Sequence, residues 1–325
     1  MNQYSVILYY NYTPILDAEA YREKHHLFCL ENNLLGRIIV ASEGLNGTVS
    51  GLKEDCDKYM NWLENDPIFA GTNFDFKVET HEKHAFNKLH VRVKEEIVNS
   101  DLPVNPLERT GTHLEPADFK KMYKNDPDVV LVDMRSNYEH SVGRFKGAIT
   151  FDMDTLRELP DHINEIEHLK NKKIITYCTG GIKCEKASAY LLDQGFENVY
   201  QLHGGIIKYG LEEGGEDFEG KCYVFDNRVT AEVNSVNPEV ISKCHICSTN
   251  SDQMVNCANP ECNEHLAICP ACLKEMEGAC STECKEHPRK RPYNSQGYYS
   301  KQSDNYTAEF GFKSRQRTKV NIETF

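Results

Sequence analysis

The run Lys173-Ile-Ile-Thr-Tyr-Cys178-Thr-Gly-Gly-Ile-Lys-Cys184 reads as a strand, a glycine loop and the start of a helix. Its first five residues form a short, mostly apolar stretch of the kind that becomes a buried strand. From Cys184 to Gln194 the pattern is helical, and Gly195 stands where a helix-closing glycine belongs. Cys178 therefore follows a strand directly, at the carboxyl end where α/β sheets hold their ligands. Gly180 and Gly181 let the loop Thr179, Gly180, Gly181, Ile182, Lys183 curl so that amide N–H groups point inward. The helix behind it adds a dipole equivalent to about +0.5 charge at its N-terminus. Such a cradle lowers a thiol pKa and holds a thiolate or persulfide, whereas inert buried cysteines lack it.

On either side of this run, Ala117–Tyr123 reads as a helix, and Val129–Asp133 and Asn198–Leu202 read as strands. Strands alternating with helices imply a parallel α/β sheet. Upstream the pattern changes. Tyr4–Tyr10 reads as a strand, and Asp17–Asn32 as a helix with Asp17 as N-cap. Gly36–Ala41 and Gly47–Gly51 read as strands around the turn Glu43-Gly-Leu-Asn-Gly47, whose Asn46-Gly47 is a hairpin signal. Glu54–Asn65 reads as a helix stopped by Asp66-Pro67, and Phe74–Thr80 and Leu89–Val98 as further strands. The order β-α-β-β-α-β is the ferredoxin-like pattern.

Asp133-Met-Arg135-Ser-Asn-Tyr-Glu139, then Gly143-Arg-Phe-Lys-Gly147-Ala-Ile149, and later Leu202-His-Gly-Gly-Ile206 resemble the signatures of rhodanese domains. That resemblance makes Cys178 the reactive residue and Asp133 and Arg135 supporting ones. Rhodanese loops place a basic residue five positions after the Cys, where Lys183 stands. Longer-looped phosphatase relatives need Arg one position later, which here is Cys184; this argues against a dual-specificity phosphatase. Lys183 departs from the commoner Arg and offers a point charge without the bidentate fork. The expected organisation is a ferredoxin-like (acylphosphatase-like) domain at 1–98, a linker at 99–116 and a rhodanese α/β domain at 117–219. A Cys-rich zinc module with a basic tail follows at 220–325.

Four further stretches narrow the resemblance: Glu43-Gly-Leu-Asn-Gly-Thr48, Lys88–Ile97, Glu185-Lys-Ala-Ser188 and Gly220–Arg228. In order along the chain, they are similar to the bacterial tRNA uridine hydroxylases. The resemblance implies an oxidoreductase that converts the wobble uridine of tRNA to 5-hydroxyuridine, with O2 as co-substrate and Cys178 essential. The alternative is a sulfurtransferase carrying a persulfide on Cys178. The sequence shows no Gly-rich dinucleotide fingerprint, and His113-Leu-Glu115 has a local spacing suggestive of nonheme iron, with no second His identifiable.

On a strand through Leu89–Lys94, Lys88, His90, Arg92 and Lys94 share one face while Leu89, Val91 and Val93 take the other. A basic stripe on a chain of net charge −13 suits a phosphate backbone. The expected partner is tRNA, with neither DNA nor a membrane. No apolar run approaches the ~20 residues of a membrane helix, and Met1-Asn2-Gln3-Tyr4 has no basic n-region, so no secretory signal is expected and the expected location is the cytoplasm.

Eight of the 13 cysteines lie between 244 and 284, as Cys244-x2-Cys247, Cys257-x4-Cys262, Cys269-x2-Cys272 and Cys280-x3-Cys284. Four close pairs supply two tetrahedral thiolate sites for structural zinc. The spacing leaves open whether pairs join sequentially or interleave, and whether His265 replaces Cys262. From Lys285 onward nine basic residues face four acidic ones, and Glu286–Tyr293 and Tyr298-Tyr299 mix basic and aromatic side chains. Such mixtures suit unpaired RNA or a solvated tail.

Overall fold

The structure, a computed structural model, describes residues 3–295. It divides into two compact units, the first carrying both large sheets and the second most of the Cys-rich segment.

The first sheet is built from β1 (Tyr4–Tyr12), β2 (Leu35–Ala41), β3 (Gly44–Leu52), β4 (Lys77–His81) and β5 (Leu89–Val93), with helices α1 (Ala18–Glu31) and α2 (Lys53–Glu64). Its order is β4-β1-β3-β2-β5. The first four strands make the antiparallel ferredoxin-like sheet, and β5 adds to the edge parallel to β2. Asp17 caps α1, its carboxylate accepting from Ala20 N at 2.9 Å. Alternation along β1 sends Ile7 and Tyr9 into the core under the helices, where they meet Tyr21, Cys29, Tyr59 and Leu63. It sends Leu8, Tyr10 and Tyr12 to the opposite face.

The β2–β3 hairpin turns at Ser42-Glu43, not at Asn46-Gly47, which lies inside β3. Gly47 pairs with Tyr9 across the sheet, and a Cβ there would lie 2.2 Å from the Tyr9 hydroxyl. The glycine makes room for an aromatic ring rather than for a turn.

The second sheet has the order β6-β11-β10-β7-β9, all parallel. Its strands are β6 (Thr112–Leu114), β7 (Val129–Asp133), β9 (Ile149–Thr150), β10 (Lys173–Tyr177) and β11 (Asn198–Leu202). Around it run α3 (Pro116–Asn125), α4 (Asn137–His140), α5 (Leu159–Ile166), α6 (Ile182–Asp193) and α7 (Gly205–Glu213), while β8 (Gly143–Phe145) pairs with Phe218–Gly220. β6 falls inside the stretch expected to link the domains. Both faces are covered, as a parallel sheet requires. Ile174 faces a core with Val132, Leu191 and Val199; Ile175 and Tyr177 face another with Phe145, Ile206 and Phe218.

The second unit has little regular structure: a two-stranded ladder of Met254–Asn256 with His265–Ala267, and short helices Pro270–Glu275 and Thr282–Glu286. No helix among the described residues is long and apolar enough to cross a membrane.

Candidate active site and metal centres

Cys178 follows β10 and its loop closes onto the first turn of α6. The thiol is buried, and Gly181 N donates to its Sγ at 3.2 Å. α7 anchors the loop from behind: Ile206 N donates to Cys178 O at 3.0 Å and Ile207 N to Thr179 O at 3.1 Å. Gly205, with φ +67°, must be glycine, because a Cβ would lie 2.5 Å from Cys178 O and 2.7 Å from Gly181 N. Burial alone would push the Cys178 thiol up. The Cys184 thiol, the Lys183 charge and the N–H groups of Lys183 and Cys184 outweigh it and bring the pKa down to about 7. Burial, reinforced by the hydrogen bond and charge of Cys178, holds Cys184 well above the usual thiol range. Cys178 is therefore the sulfur that ionises.

Lys183 reaches the buried Glu139, whose Oε2 accepts its ammonium at 2.5 Å. Its charge acts on the loop from that anchored position. Asp133 and Arg135 form a fully buried clamp: Arg135 Nε and Nη2 donate to the two Asp133 oxygens at 2.9 and 2.6 Å, and Nη2 also to Gly143 O at 2.7 Å. The clamp ties the end of β7 to β8 beside the loop, and Arg135 is fully buried within it.

The first sheet covers the loop. A Cβ on Gly180 would lie 2.7 Å from Leu8 Cδ2, and one on Gly181 3.0 Å from the Tyr10 hydroxyl. Those two glycines thus serve the close approach of β1 as well as the curl. Tyr10 donates to Glu185 Oε1 at 2.7 Å; His113 Nε2 meets the same oxygen at 2.8 Å, and Thr110 and Gln201 reach Oε2 at 3.1 Å each. Next along α6, the buried Lys186 lies between Glu43 Oε2 at 2.9 Å and Glu96 Oε1 at 2.6 Å. Lys77, also buried, pairs with Asp75 at 3.0 Å and sits over the Tyr10 ring at 5.1 Å. Tyr10, Lys77, Glu185 and Lys186 were not legible as site residues. Glu43 and Glu185-Lys186 did fall in the motifs that carried the family resemblance, and that recurrence was their one signal.

On β5, His90 and Arg92 share the face opposite the core, while Leu89, Val91 and Val93 pack inward. Arg37 of β2 stands beside His90 in register. Burial and the charges of Arg92, Arg37 and Lys88 lower the His90 pKa, which marks a local concentration of cations. Lys94 follows the end of the strand, its N–H bonded to Val40 O. His113 and Glu115 serve separate networks, since Glu115 accepts from His203 at 2.6 Å and Lys208 at 2.9 Å. A second His does stand near, with the His203 and His113 rings 5.4 Å apart. Of the basic residues after 284, Arg289 pairs with Glu261 at 2.6 Å, and Arg291 Nη1 donates to Asn263 at 3.1 Å. Tyr298-Tyr299 and the basic residues beyond them lie outside the described residues.

The cysteines gather into two interleaved sets: Cys244, Cys247, Cys269 and Cys272, and Cys257, Cys262, Cys280 and Cys284. In each set the sulfurs all lie within 4.8 Å of one another. Cys247–Cys269, Cys262–Cys280 and Cys280–Cys284 stand at 3.7, 3.6 and 3.7 Å. Tetrahedral zinc with Zn–S near 2.3 Å needs sulfurs about 3.8 Å apart, so both sets fit a thiophilic ion with no open position. His265 is not a ligand; its Nδ1 meets Asn256 Oδ1 at 2.6 Å. Among the described residues these are the only groups of three or more His, Cys, Asp or Glu gathered to hold a metal ion.

The parallel sheet, the Cys loop and the Gly204-Gly205 turn define a rhodanese-like domain, preceded by a ferredoxin-like domain and followed by a module of two four-cysteine sets. Family models agree: an acylphosphatase-like domain termed UPF0176 matches residues 4–97, a rhodanese-like domain 115–212 and a rhodanese C-terminal segment 219–285. A protein of Cytophaga hutchinsonii named tRNA uridine(34) hydroxylase is 64% identical over 307 residues, 94% of this chain and 97% of that one. One of Bacillus pumilus with the same name is 50% identical over 244 residues, covering 74% and 75% of the two chains. The chain belongs to the tRNA uridine(34) hydroxylase family.

Proposed function

We propose that this protein hydroxylates the wobble uridine of tRNA to 5-hydroxyuridine in the cytoplasm, with Cys178 as the essential reactive residue. The observation that carries the reading is a buried thiol held near pKa 7 by its own loop, in a chain so similar along its length to proteins of that name. A thiolate at neutral pH is a nucleophile suited to the electron-poor C6 of a pyrimidine, and addition there would activate C5. O2 supplies the new hydroxyl oxygen, and two electrons from an external reductant release the other as water. Lys183 and the loop amides hold the thiolate, while Asp133 and Arg135 keep the loop's seat rigid.

Lys88, His90, Arg92 and Lys94, joined by Arg37, form the surface for tRNA phosphates. Two structural zinc ions, one in each four-cysteine set, hold the C-terminal module, because its regular structure is sparse and its buried aliphatic side chains, among them Val255, Ile268 and Leu273, are few. Arg92→Glu should weaken tRNA binding and lower the salt slope by roughly 1. The activity itself is tested by nucleoside mass spectrometry of tRNA from cells lacking the gene. Loss of 5-hydroxyuridine, restored by the gene, supports the reading; 5-hydroxyuridine that persists while the purified protein turns over thiosulfate replaces it with sulfur transfer.

A further inference from the structure

Tyr10 and Tyr12 stand on one face of β1, their rings 6.1 Å apart in edge-on contact. Tyr10 reaches the Cys loop at Gly181 and its hydroxyl is held by Glu185. The Tyr12 hydroxyl is just as buried, yet it has no hydrogen-bond partner among the described residues. A buried hydroxyl without a partner is destabilising, and folded chains keep such groups where something else satisfies them.

The carboxylates nearby are already engaged. Glu185 accepts from Tyr10, Thr110, His113 and Gln201. Glu43 accepts from Ile97 N and pairs with Lys186; Glu96 accepts from Ser100 N and Asp101 N and pairs with Lys186 too. Burial first, then the charges of Glu43, Glu185, Glu96 and Cys178, raise the Tyr12 pKa well above the usual phenol range. The group is thus a protonated donor that lacks an acceptor among the described residues. The same negative charges disfavour a phosphate or carboxylate there, so the acceptor that fits is a neutral carbonyl. A uracil ring offers two.

We propose that the Tyr12 hydroxyl donates a hydrogen bond to a carbonyl oxygen of the uracil presented to Cys178, so that the ferredoxin-like sheet supplies the base-recognising half of the site. This rests on the tRNA reading above. Tyr12 touches substrate and differs in kind from Tyr10, which positions Glu185.

The test compares binding of two anticodon stem-loops, one with uridine and one abasic at the wobble position, to the zinc-loaded full-length protein. Wild type should bind the uridine loop more tightly. Tyr12→Phe deletes one oxygen that has no hydrogen-bond partner among the described residues, so it should not lower the melting temperature and should leave the alkylation rate of Cys178 unchanged. It should reduce the preference for uridine over the abasic loop by about tenfold, and hydroxylation in proportion. A Tyr12→Phe protein with the full preference overturns the proposal and leaves the hydroxyl to a buried water. A wild type that binds both loops equally also overturns the proposal, and one that binds neither overturns the tRNA reading and the proposal with it.

Discussion

Cys178 and Cys257 each sit near a second cysteine in an irregular stretch of chain, yet their surroundings differ in kind. Around Cys178 one further sulfur, Cys184, is within hydrogen-bond reach, and the rest of the shell is amide N–H, a lysine charge and a hydrophobic core on both faces of a parallel sheet. Around Cys257 three more sulfurs complete a tetrahedral set, and the apolar cluster at that set is small, Ala279 packed with the cysteines themselves. The first arrangement keeps one thiol ionisable and available; the second would spend every thiolate on a metal. Cys29, Cys56 and Cys222 form a third case, pushed up to about 12, each mainly by burial. The role of a cysteine here follows from how many sulfurs and amides can reach it.

The largest effect expected of this contrast is on metal removal. Structural zinc sites contribute on the order of 10 kcal/mol to folding, so chelation should unfold the C-terminal module. Metal analysis should find zinc in the purified protein, and Cys257→Ser should lose one of two ions. A protein that stays folded and zinc-free would break the distinction.

Next in size is the charge cluster beside the Cys loop. Lys186→Met leaves Glu43 and Glu96 facing each other without their shared cation, which should cost about 1–3 kcal/mol, less than a fully buried pair because both carboxylates keep some contact with water. Denaturant unfolding measures it. Burial would raise the Glu96 pKa, but Lys186 and the N–H groups of Asp101 and Ser100 outweigh it and depress the pKa to about 2. A depressed carboxylate stabilises the fold above its unfolded pKa, near 4.5, and that contribution fades as pH falls toward about 2. Glu96→Gln should flatten the stability profile in that window.

The smallest effect concerns Lys183. Its charge favours the Cys178 thiolate, so Lys183→Met should move the alkylation midpoint of Cys178 upward from about 7. The shift should be about one unit or less, because the loop amides remain. Peptide mass spectrometry of alkylated protein across pH reads it.

The Cys loop was legible because strand, Cys, Gly-Gly and helix are contiguous and each has a local physical reason. So was the ferredoxin-like order, carried by period-2 and helical patterns. Asn46-Gly47 misled because a glycine that clears space for the Tyr9 ring looks in sequence like a turn glycine. β6 was hidden in a Pro- and Gly-containing stretch, since three residues are too few to show a period. The meeting of Tyr10, Tyr12, Lys77, Glu185 and Lys186 has no local signature, for it exists only once β1 lies against the loop. The interleaved pairing of the cysteine sets is likewise tertiary, and spacing supplies pairs without matching them.

On the proposed function, Cys178 carries the chemistry and its neighbour Cys184 does not. Cells lacking the gene, given back wild type, Cys178→Ala or Cys184→Ala, allow a direct comparison by nucleoside mass spectrometry of total tRNA. Wild type and Cys184→Ala should restore 5-hydroxyuridine, and Cys178→Ala should restore none. Restoration by Cys178→Ala would contradict the account.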